Sequence, residues 1–149
     1  MQATLAIHAA YTAIANVGRE VTQALGLGAT TSRYSVLRVL SFAPEHRLTQ
    51  KAISARLLIG WASVADLVTS LERDGLVTRT RNVNDRRSIV VTLTSEGESV
   101  CARYVPAITR MAAKFCQELS EEQKKHLTEL LLTFCRSAPD DPAQLLEEP

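Results

Sequence analysis

Apolar positions recur at helical spacing from residue 4 to about residue 26, where Ile7, Tyr11, Ile14, Gly18, Val21 and Leu25 stand three or four apart. This is the stripe of a long amphipathic helix. Gly18 within it costs about 1 kcal/mol relative to alanine, and either the close approach of another helix or simple tolerance accounts for it. Gly26 and Gly28 supply a stop. A second helix starts at Thr30 to Ser32, carries Tyr34, Val36, Leu37 and Leu40 inward and reaches about Phe42, because Pro44 bars continuation. Thr49 is a good N-cap for a short third helix holding Ile53, Leu57 and Leu58. After Gly60 a fourth helix buries Val64, Leu67, Val68 and Leu71 and stops at Gly75. Two helices joined by a brief turn at Leu58 to Gly60 have the pattern of a helix-turn-helix.

The period then drops from 3.6 to 2. LVTRTR (76–81) and SIVVTLT (88–94) read as two short strands, with Ile89, Val91 and Leu93 on one face. The NVNDRR between them is longer than a tight hairpin turn needs and forms a projecting wing. Ser95 to Glu98 reads as a capping box opening a long helix with Val100, Tyr104, Ile108, Met111 and Phe115 inward. Pro106 predicts a kink or interruption in that helix. Ser120 to Gln123 is a second capping box, and the helix it opens buries Leu127, Leu130, Leu131 and Phe134. The expected fold is mainly α with a small β-hairpin: one domain in which 30–94 form a winged helix-turn-helix, 4–26 and 95–137 form flanking helices, and 138–149 form an irregular tail.

Composition leaves this picture intact. With 46% hydrophobic and 22% charged residues among 149, the chain suits a folded domain rather than a disordered one. Its apolar runs are too short to span a bilayer and its start lacks the features of a signal peptide, so a cytoplasmic location is expected. Cys101, Cys116 and Cys135 include no C-x-x-C pair and read as reduced, buried thiols. His8, His46 and His126 are scattered, and no P-loop, dinucleotide fingerprint or nucleophile elbow is present. Neither an enzyme nor a cofactor or metal site is expected.

Charge changes the picture more. The net charge is only +1, yet ten Lys/Arg face five acids between Arg33 and Arg87, a local balance of +5 that leaves −4 for the rest. A basic middle between acidic ends fits a surface that neutralises phosphates.

The element order, together with LERDGLVTR at 71–79, DRRSIVVTLTSEG at 85–97 and the spacing between them, resembles the MarR family of bacterial transcription regulators over nearly the whole chain. The resemblance implies a homodimer built through the N- and C-terminal helices, which binds a pseudo-palindromic operator in double-stranded DNA with the wing in the minor groove. It further implies a repressor released by a small aromatic or phenolic effector or, in some relatives, by cysteine oxidation. Peroxide-sensing relatives use a cysteine in the first helix, and this chain has none there.

The candidate DNA contacts are Trp61, Ala62, Ser63, Ala65, Asp66, Thr69 and Arg73 on the fourth helix and Arg79, Arg81, Asp85, Arg86 and Arg87 on the wing. An arginine on a thin loop can enter a minor groove about 6 Å wide. Asp85 then pairs with one neighbour, Arg87, while Arg86 inserts, or the two arginines exchange roles. Trp61 either touches DNA or packs in a partly buried position. Asp66 stands where relatives often carry a basic or hydroxyl residue; it either accepts a hydrogen bond from cytosine N4 or pairs with a local arginine such as Arg73. His8, Tyr11, Tyr34 and Arg38 are the candidate ligand-binding set for an aromatic acid. The competing readings are a helical module that binds only protein and a redox-responsive regulator acting through a cysteine.

Overall fold

The structure is a computed structural model that describes residues 2–27, 32–83, 85 and 87–136. The chain divides into two compact units, residues 1–113 and 114–149.

In the first unit, α1 (Gln2–Ala24) ends where Gly26 adopts a φ of 69°. There the Gly26 N–H donates to Gln23 and the Leu27 N–H to Thr22, the paired closure that a left-handed residue permits. α2 (Ser32–Ser41) buries Tyr34, Val36, Leu37 and Leu40. Pro44 stops it, as expected, but the next residues hold an element that the apolar spacing does not announce. A 3₁₀ turn at Pro44–His46, with Glu45 and His46 both at positive φ, delivers Arg47–Thr49 as a strand, β1. A strand of three residues is too short to show alternation.

Thr49 caps α3 (Gln50–Leu57), its Oγ1 accepting from the Ala52 N–H at 3.1 Å. Leu58 does not pack inward with Ile53. It takes the left-handed conformation at φ 55° and is exposed, and Ser54 Oγ donates to the Ile59 carbonyl at 2.7 Å to close the turn. α4 (Trp61–Arg73) follows, with Val64, Val68 and Leu71 fully buried. Gly75, at φ 71°, repeats the α1 ending: its N–H bonds to Glu72 and the Leu76 N–H to Leu71.

β2 (Val77–Arg81) and β3 (Ile89–Leu93) pair antiparallel with Val77 opposite Leu93 and Arg81 opposite Ile89. β1 adds to the other side of β3, giving the order β1-β3-β2. Val91 and Leu93 are buried while Ile89 is half-buried.

α5 (Ser95–Phe115) is capped one residue earlier than expected. Thr94, not Ser95, accepts from the Gly97 N–H at 3.0 Å, and its hydroxyl donates to the Gly75 carbonyl at 2.7 Å. Glu98, freed from the predicted box, lies 2.8 Å from His46 Nδ1 and ties the 3₁₀ turn to the first turn of α5. Gly97 is held to its size here, because a Cβ on it would stand 2.1 Å from the Leu76 carbonyl oxygen. Val100, Tyr104 and Ile108 face the core as expected, Met111 packs at its edge, and Phe115 is exposed. The helix continues through Pro106.

The second unit holds α6 (Glu121–Arg136). Its capping box forms as predicted, with Ser120 N–H donating to Gln123 Oε1 at 2.8 Å and Gln123 N–H to Ser120 Oγ at 3.2 Å. The expected burial does not follow: Leu127, Leu130, Leu131 and Phe134 are all exposed. The 3.6-residue pattern marks the apolar face, but within one chain nothing described covers it. The predicted tail from residue 138 lies outside the described residues.

Candidate nucleic-acid interface

α4 has two distinct sides. Val64, Val68 and Leu71 anchor it in the core and Leu67 is half-buried, so the 3.6-residue period leaves Trp61, Ala62, Ser63, Asp66, Thr69 and Arg73 exposed, with Ala65 at the margin. Trp61 does not pack inward; it is 61% exposed. Asp66 does not pair with Arg73 either. Arg73 lies 3.7 Å from Asp74, whose carboxylate also takes Arg33, and these cations hold the Asp74 carboxyl below its usual range. Among the described residues Asp66 has no hydrogen-bond or ion-pair partner.

Arg79 was expected to face DNA from β2, yet its guanidinium turns back onto α4. Nε donates to Glu72 at 2.8 Å, a terminal nitrogen bonds the same carboxylate, and the other reaches Thr69 Oγ1 at 3.2 Å. The charge-assisted pair lowers the Glu72 pKa, with the hydrogen bond from Arg79 as the main cause. Glu72 and Thr69 are thus residues that sequence reasoning missed as a brace between α4 and the wing. Their only signal was an acid seven residues before an arginine across a turn.

In the wing loop, Ser88 carbonyl accepts from Asn82 N–H and Asp85 carbonyl from Ser88 N–H, each at 2.9 Å. Asp85 shapes the loop differently from the expectation: its Oδ1 accepts the backbone N–H of Arg87 at 3.0 Å, and no ion pair joins it to the Arg87 guanidinium. Arg81 and Arg87 are exposed, and Val83 at the tip is 96% exposed. Arg86 lies outside the described residues.

The four ligand candidates occupy different settings. Tyr34 is buried at 5.3 Å, centroid to centroid, from Tyr104, and its hydroxyl donates to the Leu27 carbonyl; burial raises the pKa of both phenols. His8 and Tyr11 are exposed on α1. Arg38 lines a hollow of about 320 Å³ with Ser35, Val39, Phe42, Arg56 and Leu57. The thiols are also split: Cys101 is buried, Cys116 half-buried and Cys135 exposed, contrary to the expectation of three buried thiols. Among the described residues no group of His, Cys, Asp and Glu is placed to hold a metal, and no single helix is long and apolar enough to cross a membrane.

A MarR family model matches residues 25–88. The homoprotocatechuate degradative operon repressor of Escherichia coli is 30% identical over 108 residues, 70% of either chain. The chain belongs to the MarR family. It is also 27% identical over 106 residues to the transcriptional repressor YetL of Bacillus subtilis, matching 71% of this chain and 64% of that one. Among solved MarR structures, Sco3205 of Streptomyces coelicolor, crystallised with DNA, shares the fold at a TM-score of 0.81 with 23% identity, over 94% of this chain and 89% of that one. NadR, in complex with 4-hydroxyphenylacetate, gives 0.73 with 22% identity over 90% and 92%. The winged helix-turn-helix of this family is therefore the fold, and DNA-binding transcription regulation the work to which its residues are put.

Proposed function

We propose that the chain is a homodimeric repressor that grips a pseudo-palindromic duplex, with α4 in the major groove and the wing arginines in the minor groove. The observation that carries this is α4 itself: a helix fixed by three fully buried residues that presents a narrow face of small and polar side chains. Ala62, Ser63 and Ala65 allow the helix axis close to base edges, Arg81 and Arg87 are exposed on the hairpin, and the wing sequence adds Arg86 as a third cation for the groove. Support for a dimer comes from apolar side chains left in water, Leu5, Tyr11 and Ile14 on α1 and the Leu127 to Phe134 stripe on α6. A two-fold pairing through those helices sets the recognition helices about 34 Å apart.

A small aromatic or phenolic acid is the proposed releasing effector, supported by the relative named for homoprotocatechuate degradation and by NadR with 4-hydroxyphenylacetate. In this chain Arg38 and Arg56 offer guanidiniums to a carboxylate beside Phe42. His8 and Tyr11, exposed on α1, and Tyr34, buried against Tyr104, remain the other proposed members of the set, outside the hollow that Arg38 lines. Such an acid can shift the protein from DNA only as far as its affinities for the two states differ.

The test is fluorescence anisotropy with labelled duplex from the region upstream of the coding sequence, over a range of salt, for the wild type and an Arg86→Ala, Arg87→Ala double variant, with 4-hydroxyphenylacetate titrated into the complex. Binding that weakens steeply with salt and drops at least about tenfold in the variant supports the reading. Absence of salt-sensitive binding, to this duplex and to a random pool, would remove it.

A further inference from the structure

We propose that Asp66 reads sequence: in each half-site it selects a cytosine in the major groove by accepting a hydrogen bond from the exocyclic N4 amino group. The inference rests on the regulator reading above. Between Trp61 and Leu71 Asp66 is the one ionisable residue. At 1.5 Å per residue it lies about 7.5 Å along the axis from Trp61, well within the N-terminal part of a recognition helix that meets base edges. Between Trp61 and Leu71 no neighbour on the exposed face carries a second charge, and Ser63 adds only a neutral hydroxyl. Ala62 and Ala65 carry no polar atom, and the Thr69 hydroxyl is occupied, donating to the Ala65 carbonyl at 2.8 Å and accepting from Arg79. Nor is the carboxylate neutralised by its own helix, since Arg73 turns to Asp74.

An exposed acid on a face turned toward DNA is repelled by phosphates, so a specific gain must offset it. A carboxylate only accepts. In the major groove guanine shows two acceptors, thymine an acceptor and a methyl, and adenine a donor beside the N7 acceptor; cytosine shows a donor alone. Asp66 therefore favours cytosine and works against the other three bases, so it narrows the set of operators as well as contacting one.

The experiment selects duplexes from a randomised pool with the full-length protein, sequences the bound fraction, and titrates single-base variants of the winner by anisotropy for wild type, Asp66→Ala and Asp66→Asn. The expected result is one position per half-site where wild type favours cytosine at least about fivefold, the low end of what one base-edge pair contributes. Asp66→Ala flattens that position and leaves the others, and Asp66→Asn moves its preference toward adenine, whose N6 and N7 match an amide. An Asp66→Ala profile equal to wild type, or one flattened at every position alike, overturns the base assignment while leaving the regulator standing. If wild type selects no duplex at all, the regulator reading itself fails and takes the assignment with it.

Discussion

Arg79 on β2 clasps the carboxylate of Glu72 on α4 through two nitrogens and touches Thr69 with the third. The pair ties α4 to β2, and so would set the angle between the proposed recognition helix and the hairpin. Glu72→Gln should therefore weaken operator binding severalfold even though it removes a negative charge from a DNA-facing protein, and anisotropy beside a thermal melt would show the affinity falling while the fold persists. Repulsion alone predicts the opposite sign. Because Arg79 depresses the Glu72 pKa, the stabilisation this pair gives is present above the usual carboxylate range and is lost only as pH falls through the lowered value. The difference in melting temperature between wild type and Glu72→Gln should thus hold at neutral pH and vanish in acid.

Gly97→Ala should destabilise the first unit. Its new Cβ would sit 2.1 Å from a backbone oxygen, which cannot swing aside as a flexible side chain could. Overpacking of this kind costs about 1–3 kcal/mol, and a chain of this size loses roughly 2–4 °C of melting temperature per kcal/mol. A calorimetric scan reads it directly.

Leu131→Asp, in the middle of the exposed α6 stripe, should convert the proposed dimer to monomer with little change in helix content. Light scattering coupled to size exclusion would show the mass halve, and circular dichroism would remain as in the wild type. A variant that stays dimeric would move the interface away from α6.

Cys101 should be nearly inert to thiol reagents in the folded protein. Burial pushes its pKa up to about 11, with the nearby Glu98 charge adding to the shift, so at pH 8 about one thiol in a thousand is thiolate. Timed alkylation read by mass spectrometry should modify exposed Cys135 first and Cys101 only on unfolding. Rapid labelling of Cys101 would reopen a redox role for it.

What could be read from the chain follows from the range of the forces. The stripes of α1, α4 and α5 and the glycine endings of α1 and α4 are set by neighbours three or four residues away, so the sequence showed them. β1 was invisible because its pairing with β3 is decided more than forty residues away. The α5 cap shifted from Ser95 to Thr94 for a similar reason: both are hydroxyls, and only the folded chain places the Gly75 carbonyl where Thr94 can reach it. Asp85 holds the loop through the Arg87 backbone N–H rather than the Arg87 guanidinium, since a backbone N–H two residues on needs no side-chain ordering, while the exchanged pairing with Arg86 lies outside the described residues. The brace at Arg79 was hidden because its charge looked available for phosphate until the fold brought Glu72 beside it.

Both ends of the wing meet at one place. The Leu76 carbonyl, at the start of the hairpin, accepts the Thr94 N–H at 3.1 Å, and the Thr94 hydroxyl takes the Gly75 carbonyl beside it. With Gly97 pressed against that same Leu76 oxygen, the hairpin has no slack at its root and is geared to the first turn of α5. A rotation of that helix by a few degrees would be carried outward along the hairpin as along a crank, so that residues farther out would travel farther than those at its root.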